Sequence, residues 1–286
     1  MPDPPFELMR NNEPAGFDVD LMRAISADLG LRWKLVPYDG EDFNGIFSGL
    51  DDGQYDCVAS GTTITPERRE KALFCVPYLR SGQSLVANAE RTPDIRSIDD
   101  LAGRTIGVQH GNTSEPVAHR LKAEGRVGAV KTYAYHDIGR MLDDVEAGRI
   151  AAVMKLAPVM RWLTRDRPAL KVVQETITDE ELGVCVALGN VPLQEAIDAA
   201  MARLRADGTL AGLTDTWIGQ WPGVFTSSPA RRGGPMSSAS SFRSGACRPP
   251  RPCTSRKRRP VRSSTAGGWS TTSPGAASMS RSRPIR

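Results

Sequence analysis

The sequence predicts an α/β fold with largely parallel sheets, on three observations. Strand-like and helix-like runs alternate from the first residues to about Trp217, the pattern of βα units. Apolar residues make up 40% of the 286 residues and charged residues 24%, a balance that supports a sizeable buried core. Five cysteines match no disulfide framework and no zinc spacing, so packing has to hold the fold.

Each element follows from local chemistry. Asp18 is placed to cap a helix running through Leu29, with Leu21, Met22, Ile25 and Leu29 on one face and Gly30 as the stop. Arg32 to Val36 is a short strand. Asp42 to Leu50 is a short helix carrying Phe43, Ile46 and Phe47. Tyr55 to Ser60 is a strand ending in small residues, and Pro66 opens a helical turn. Ser84 to Ala87 is the next strand. Thr105 to Val108 feeds Gly111-Asn112-Thr113-Ser114, which starts a helix to about Glu124. Val130 to Tyr133 precedes a helix over about Asp137 to Ala147. Ile150 to Met154 is strand-like and is followed by a helix from Pro158 to Thr164. Val184 to Leu188 leads into an amphipathic helix whose face is Leu193, Ile197, Ala200, Met201 and Leu204. Gly208 ends it, and Thr209 to Trp217 forms the last helix. No internal repeat is evident.

Charge divides the chain into two materials. No Asp or Glu follows Asp215, and from Gln220 onward there are 12 Arg and one Lys, a charge of +13. The preceding 219 residues hold 24 basic and 33 acidic side chains, a charge of −9. Residues 220–286, rich in Ser, Arg, Pro and Gly without apolar periodicity, are expected to be disordered. Such a tail suits a polybasic arm for nucleic acid or anionic lipid. The abruptness of the switch favours instead a stretch beyond the true end of the domain, and no nucleic-acid partner is expected. No run of 18 apolar residues exists, so no membrane-spanning helix is expected, and no signal peptide precedes the first element. His110, His119 and His136 have no metal-ligand spacing, and there is neither a Ser-His-Asp order nor a P-loop. No metal and no cofactor are expected. Cys57, Cys75 and Cys185 are expected as buried, inert thiols, while Cys247 and Cys253 fall in the tail.

Short motifs occur in a set order: Pro4-Pro5-Phe6-Glu7, Gly16-Phe17-Asp18-Val19-Asp20-Leu21, Ser60-Gly61-Thr62-Thr63-Ile64-Thr65-Pro66-Glu67-Arg68 and Pro77-Tyr78. Then follow Gly103-Arg104-Thr105-Ile106-Gly107-Val108, Gly111-Asn112-Thr113-Ser114, Ala206-Asp207-Gly208-Thr209-Leu210 and Trp217-Ile218-Gly219. Their order and spacing, over about Pro4 to Gly219, resemble the family 3 bacterial extracellular solute-binding proteins, the polar amino-acid receptors of ABC importers. The resemblance implies a two-lobed, hinged clamshell, a periplasmic-binding-protein fold of type II. Lobe 1 would take 1–84 plus 186–219 and lobe 2 would take 85–185. Two strands would cross between them, near Ser84–Ala87 and Val184–Leu188. It also implies a non-enzymatic, monomeric receptor in the periplasm or outside the cell, delivering a small carboxylate such as an amino acid to an ABC transporter permease. Family members carry a signal peptide and a first strand ahead of Pro-Pro-Phe, whereas Met1 here falls inside that region. A buried element of the lobe 1 sheet is therefore expected to be missing.

The same resemblance assigns a ligand site. Arg68 offers a planar guanidinium suited to bidentate binding of an α-carboxylate, with Ser60, Gly61, Thr62 and Thr63 supplying backbone and hydroxyl contacts. Taken alone, Arg68 is one of two adjacent surface arginines, with Arg69. Asn112, Thr113 and Ser114 begin a helix whose free N–H groups and dipole favour an anion, although hydroxyls there are also ordinary caps. Phe43 packs on the ligand side chain by resemblance and beside Ile46 and Phe47 by pattern. Phe6 suits core and cleft wall equally, and Asp3 falls near the lost strand with its register open.

One departure bears on the ligand. In the amino-acid receptors the strand equivalent to Ile150–Met154 runs into an Asp that grips the α-ammonium. Here Pro158 sets the register and puts Leu156 at that position. A leucine accepts no hydrogen bond, so a buried ammonium would lack its main partner. The expected ligand is a carboxylate without a standard free α-amino group, or with one held differently. A register shift, or rescue by another acid such as Glu115, stays open. Lys155 faces solvent if strand alternation holds beside an inward Leu156; turned inward, it would repel an ammonium. Two other functions are open: a cyclohexadienyl or prephenate-type dehydratase on the same fold, with Glu115 the nearest candidate acid or base, and the ligand-sensing module of a receptor.

Overall fold

Residues 3–219 are described by a computed structural model; the predicted tail, with Cys247 and Cys253, lies outside them. Leu8–Arg10 (β1) and Glu13–Ala15 (β2) form an antiparallel hairpin. It turns through Asn11 and Asn12 at positive φ, where asparagine is tolerated. Helix α1 (Phe17–Asp28) buries Phe17, Leu21, Met22 and Ile25, and Gly30, at a φ of +64°, ends it. Its start differs from expectation. Gly16 holds the cap position without a side-chain bond, and Asp18 lies inside the first turn. The Asp18 carboxylate accepts instead from the Gly61 N–H at 2.6 Å and the Tyr78 hydroxyl at 3.0 Å. A fully buried carboxylate needs such donors more than a helix end needs a cap.

A 3-10 turn over Phe43–Phe47, capped by the Asp42 side chain on the Asn44 N–H, runs into α2 (Ser48–Asp51). Strand β3 is only Cys57–Val58, shorter than the predicted Tyr55–Ser60. Helix α3 (Pro66–Arg69) starts at Pro66, with Thr65 as its side-chain cap. Leu73–Phe74 (β4) and Leu79–Ser81 (β5) follow.

Five strands then build one sheet: Gln83–Asn88 (β6), Thr105–Gln109 (β7), Ala129–Tyr133 (β8), Ala152–Leu156 (β9) and Leu170–Gln174 (β10), in the order β10-β6-β9-β7-β8. Helices α4 (Ser114–Ala123), α5 (Ile138–Glu146) and α6 (Ala157–Thr164) pack on it. Alternate residues point to opposite faces. Leu85, Ile106, Val108 and Met154 pack with Val117 and Leu121. Val86 and Val153 pack with Met141, Leu142 and Met160. Both faces are buried, which accounts for the apolar runs. The expectation of largely parallel sheets is corrected here. Strands β7, β8 and β9, joined through α4 and α5, are parallel, as helical crossovers require. Strand β6 runs antiparallel to both of its neighbours, β9 and β10, so the sheet is mixed.

The chain returns through Glu180–Leu182 (β11), which pairs with β5, and Cys185–Val186 (β12), which sits between β3 and β4; all these pairings are antiparallel. It thus passes between the sheets twice, from β5 to β6 through Gly82 and from β10 to β11 through residues 175–179. These passages precede the expected Ser84–Ala87 and Val184–Leu188, because β6 is already laddered to β9 at Gln83 and β12 to β3 and β4 at Cys185. Helices α7 (Val191–Ala206) and α8 (Thr209–Trp217) pack against α1. The α7 face Ile197, Ala200, Met201 and Leu204 is buried as predicted, and the Trp217 indole N–H donates to Asp20 at 3.0 Å.

Beside β3 lies an apolar groove of about 300 Å³. Among the described residues β3 is laddered only to β12. The extended segment Trp33–Tyr38 forms the opposite wall, with Val19, Met22, Leu35 and Ala59 also lining the space. The predicted strand Arg32–Val36 therefore does not form: across that gap it has no ladder, and only Trp33 makes a bridge. Among the described residues no helix is long and apolar enough to cross a membrane. Cys57, Cys75 and Cys185 are buried thiols. Burial pushes Cys57 up to about 12 and Cys185 well above its usual range, which leaves both unreactive near neutral pH.

Candidate functional site

A small cavity gathers residues from both sheets. Nine of the ten predicted site residues line it: Phe43, Ser60, Gly61, Thr63, Arg68, Asn112, Thr113, Ser114 and Leu156. Thr62 does not. It is fully buried, and its carbonyl accepts from the Gly183 N–H at 3.0 Å, so it serves the backbone joining α3 to β11.

Arg68 is not a surface arginine. It is the third residue of the short helix α3, and the turn Thr65-Pro66 aims it inward, leaving 5% of it exposed. Its guanidinium donates to the Thr63 carbonyl at 3.0 Å, the Asn44 side chain at 3.2 Å and the Gly111 carbonyl at 3.0 Å. It lies 4.8 Å from the Phe43 ring centre, so Phe43 is both core and cavity wall. Burial lowers its pKa to about 10, against the opposing pull of Glu180 and Asp42; it stays charged at neutral pH. Three of its five N–H donors are taken by neutral oxygens. One N–H on each terminal nitrogen remains, a pair that can serve a carboxylate. The Gly111 bond carries the cavity across to the α4 end of the five-stranded sheet, as do Phe43 N–H to the His110 carbonyl at 3.2 Å and Tyr135 N–H to the Glu41 carbonyl at 2.7 Å.

The α4 end behaves differently from an ordinary cap. Thr113 makes no capping bond; its hydroxyl donates to Glu180 at 2.8 Å. Ser114 Oγ is buried without a partner. Glu180 itself, which sequence reasoning missed, accepts from Thr63, Thr113, Gln83 and Thr178 within 2.6–2.8 Å. It sits at the first position of β11, a strand too short to show a period.

Lys155 corrects the expectation that it faces solvent. It is 3% exposed and lines the cavity beside Leu156. Alternation fails because β9 ends at Leu156, which turns the chain into α6. Lys155 Nζ lies 2.9 Å from Asp3 and 2.5 Å from the Gln109 side-chain oxygen. Asp3 and Phe6 are also at the cavity, as is Gln83, unremarked in the sequence. Glu115 does not reach it: its carboxylate accepts from the Gly111 N–H at 2.8 Å and the Thr132 hydroxyl at 3.2 Å. That weakens both the rescue of the ammonium by Glu115 and its dehydratase role. Among the described residues no cluster of metal-binding side chains occurs.

Comparison with known proteins supplies the family. The family model for bacterial extracellular solute-binding proteins, family 3, matches residues 1–220. The chain belongs to that family. It is 32% identical over 224 residues to ABC transporter arginine-binding protein 1 of Escherichia coli, covering 76% of this chain and 87% of that protein. To the L-cystine-binding protein of the same organism it is 29% identical, covering 76% and 79%. Among solved structures, an ancestral arginine-binding protein bound to arginine superposes with a TM-score of 0.69 at 33% identity, covering 75% of this chain and 93% of the other. The family 3 chain therefore has the two-lobed, type II clamshell fold, and its role is binding rather than catalysis.

Proposed function

We propose that this protein is the substrate-binding receptor of an ABC importer and captures an amino acid between its lobes. One observation carries the reading: a buried Arg68 cation, bonded only to neutral oxygens, with two N–H donors left. Among the described residues no carboxylate is in ion-pair contact with it, Glu180 and Asp42 acting from further off; a buried charge without a direct partner is costly, and an α-carboxylate supplies one. The arginine- and cystine-binding relatives support an amino-acid ligand. In this reading Ser60, Gly61 and Thr63 face the ligand from lobe 1, its bounds drawn in to about residues 1–81 with 180–219 by the two passages between the sheets, and Phe43 stacks beside it. Asn112, Thr113, Ser114 and Leu156 face it from lobe 2, the residues between. The β5–β11 ladder is the hinge, and closure carries the loaded form to a permease in the periplasm or at the outer face of the cell. Isothermal calorimetry against the twenty L-amino acids and L-cystine, beside a turnover assay on the same compounds, tests this. Micromolar or tighter binding without turnover is expected; turnover, or binding to none of them, would refute it.

A further inference from the structure

Gln83 opens β6 at the passage between the sheets, lines the cavity and is 1% exposed. Its side-chain N–H₂ group donates to Glu180 at 2.8 Å and to Thr113 Oγ1 at 3.0 Å. The Glu180 oxygen is an acceptor, so the amide cannot turn end for end without setting oxygen against oxygen. Its orientation is thereby fixed, and Oε1 is left buried without a partner. Buried polar atoms are nearly always bonded. An orphan acceptor at a cavity wall, its amide held by a carboxylate, marks a place for a donor.

On the amino-acid reading given above, we propose that Gln83 Oε1 accepts the hydrogen bond of the ligand's α-ammonium, the task that Leu156 cannot perform. Glu180 is the positioning residue. Its bond to the N–H₂ group aims Oε1 and polarises the amide, which raises the negative charge on the carbonyl oxygen. The Asp3–Lys155 pair, closed at 2.9 Å, keeps the nearby lysine charge occupied.

The test compares each bound L-amino acid with its deaminated analogue, such as L-glutamine with 4-carbamoylbutanoate and L-arginine with 5-guanidinopentanoate, by calorimetry. Wild-type protein should favour the amino acid by about 10- to 100-fold, the range for a hydrogen bond to a charged group. Gln83→Met should bring that preference to within about threefold by weakening the amino acid more than its deaminated analogue. Glu180→Gln, which frees the amide to turn, should reduce the same preference; a merely structural role would lower both affinities alike. An unchanged preference in Gln83→Met, or an equal loss for both ligands, overturns the assignment alone. Wild-type protein that binds no amino acid refutes the amino-acid reading and the assignment with it.

Discussion

Replacing Arg68 by Ala should separate binding from folding. Burial has lowered the guanidinium from 12.5 to about 10, which at 1.36 kcal/mol per tenfold is ~3 kcal/mol carried by the folded state. Against this stand three charge-assisted hydrogen bonds, to Thr63, Asn44 and Gly111, each contributing ~1.5 kcal/mol or more. Their sum exceeds the burial cost only modestly, so urea unfolding without ligand should weaken by ~1–3 kcal/mol. Ligand affinity should instead fall by ~2–5 kcal/mol, the cost of stripping one partner from a buried charge pair, or roughly 30- to 4000-fold. Urea titration and calorimetry on the same preparation read both quantities. An unfolding free energy lowered by more than ~3 kcal/mol with affinity intact would show that Arg68 braces the lobes and does not hold ligand.

Substitutions at Asp18 and at the Asp3–Lys155 pair probe buried charge. Asp18 is raised from 3.8 to about 7, chiefly by burial, so the folded state holds its proton more tightly than the unfolded chain does. Stability should then fall as pH rises from about 4 to about 7. Asp18→Asn keeps an acceptor for Gly61 and Tyr78 and should flatten that slope, gaining at most ~4 kcal/mol above pH 7; an unchanged slope in pH-dependent urea melts would exclude Asp18 as its source. Lys155→Met leaves Asp3 buried without its cation and should cost ~3–5 kcal/mol. The double variant Asp3→Asn/Lys155→Met should recover most of that, and simple additivity in the cycle would show that the pair is not coupled.

Where local chemistry decides, the sequence was legible. Gly208 at a φ of +86° precedes α8, which spans Thr209–Trp217 as predicted, and the spacing of Ile197, Ala200, Met201 and Leu204 named the buried face of α7. The start of α3 at Pro66 was legible too, but Arg68 was assigned to the site by the family resemblance, since local pattern left it on the surface beside Arg69. What tertiary contact decides was not legible. Strand β11 is three residues long, so nothing local announces that Glu180 meets Thr63 and Thr113. Asp18 has the appearance of a cap until Gly61 and Tyr78, far along the chain, converge on it. The inward turn of Lys155 depends on where β9 stops, and Gln83 gains meaning only once Glu180 is beside it.

A folded protein with an open apolar groove of about 300 Å³ should behave, to an environment-sensitive fluorophore, like a partly melted one. Such dyes brighten on exposed hydrocarbon, and Met9 and Leu35, exposed on the groove's rim, offer it before any heating begins. A thermal-shift screen would then start from a high baseline that an amino acid in the polar cavity cannot quench. Detergent or lipid carried through purification would compete for the same wall and shift the curve without being a transported solute. Heat of binding, or a label placed across the cleft, reads the polar cavity alone, and a true solute is one whose signal survives saturation of the groove with dye.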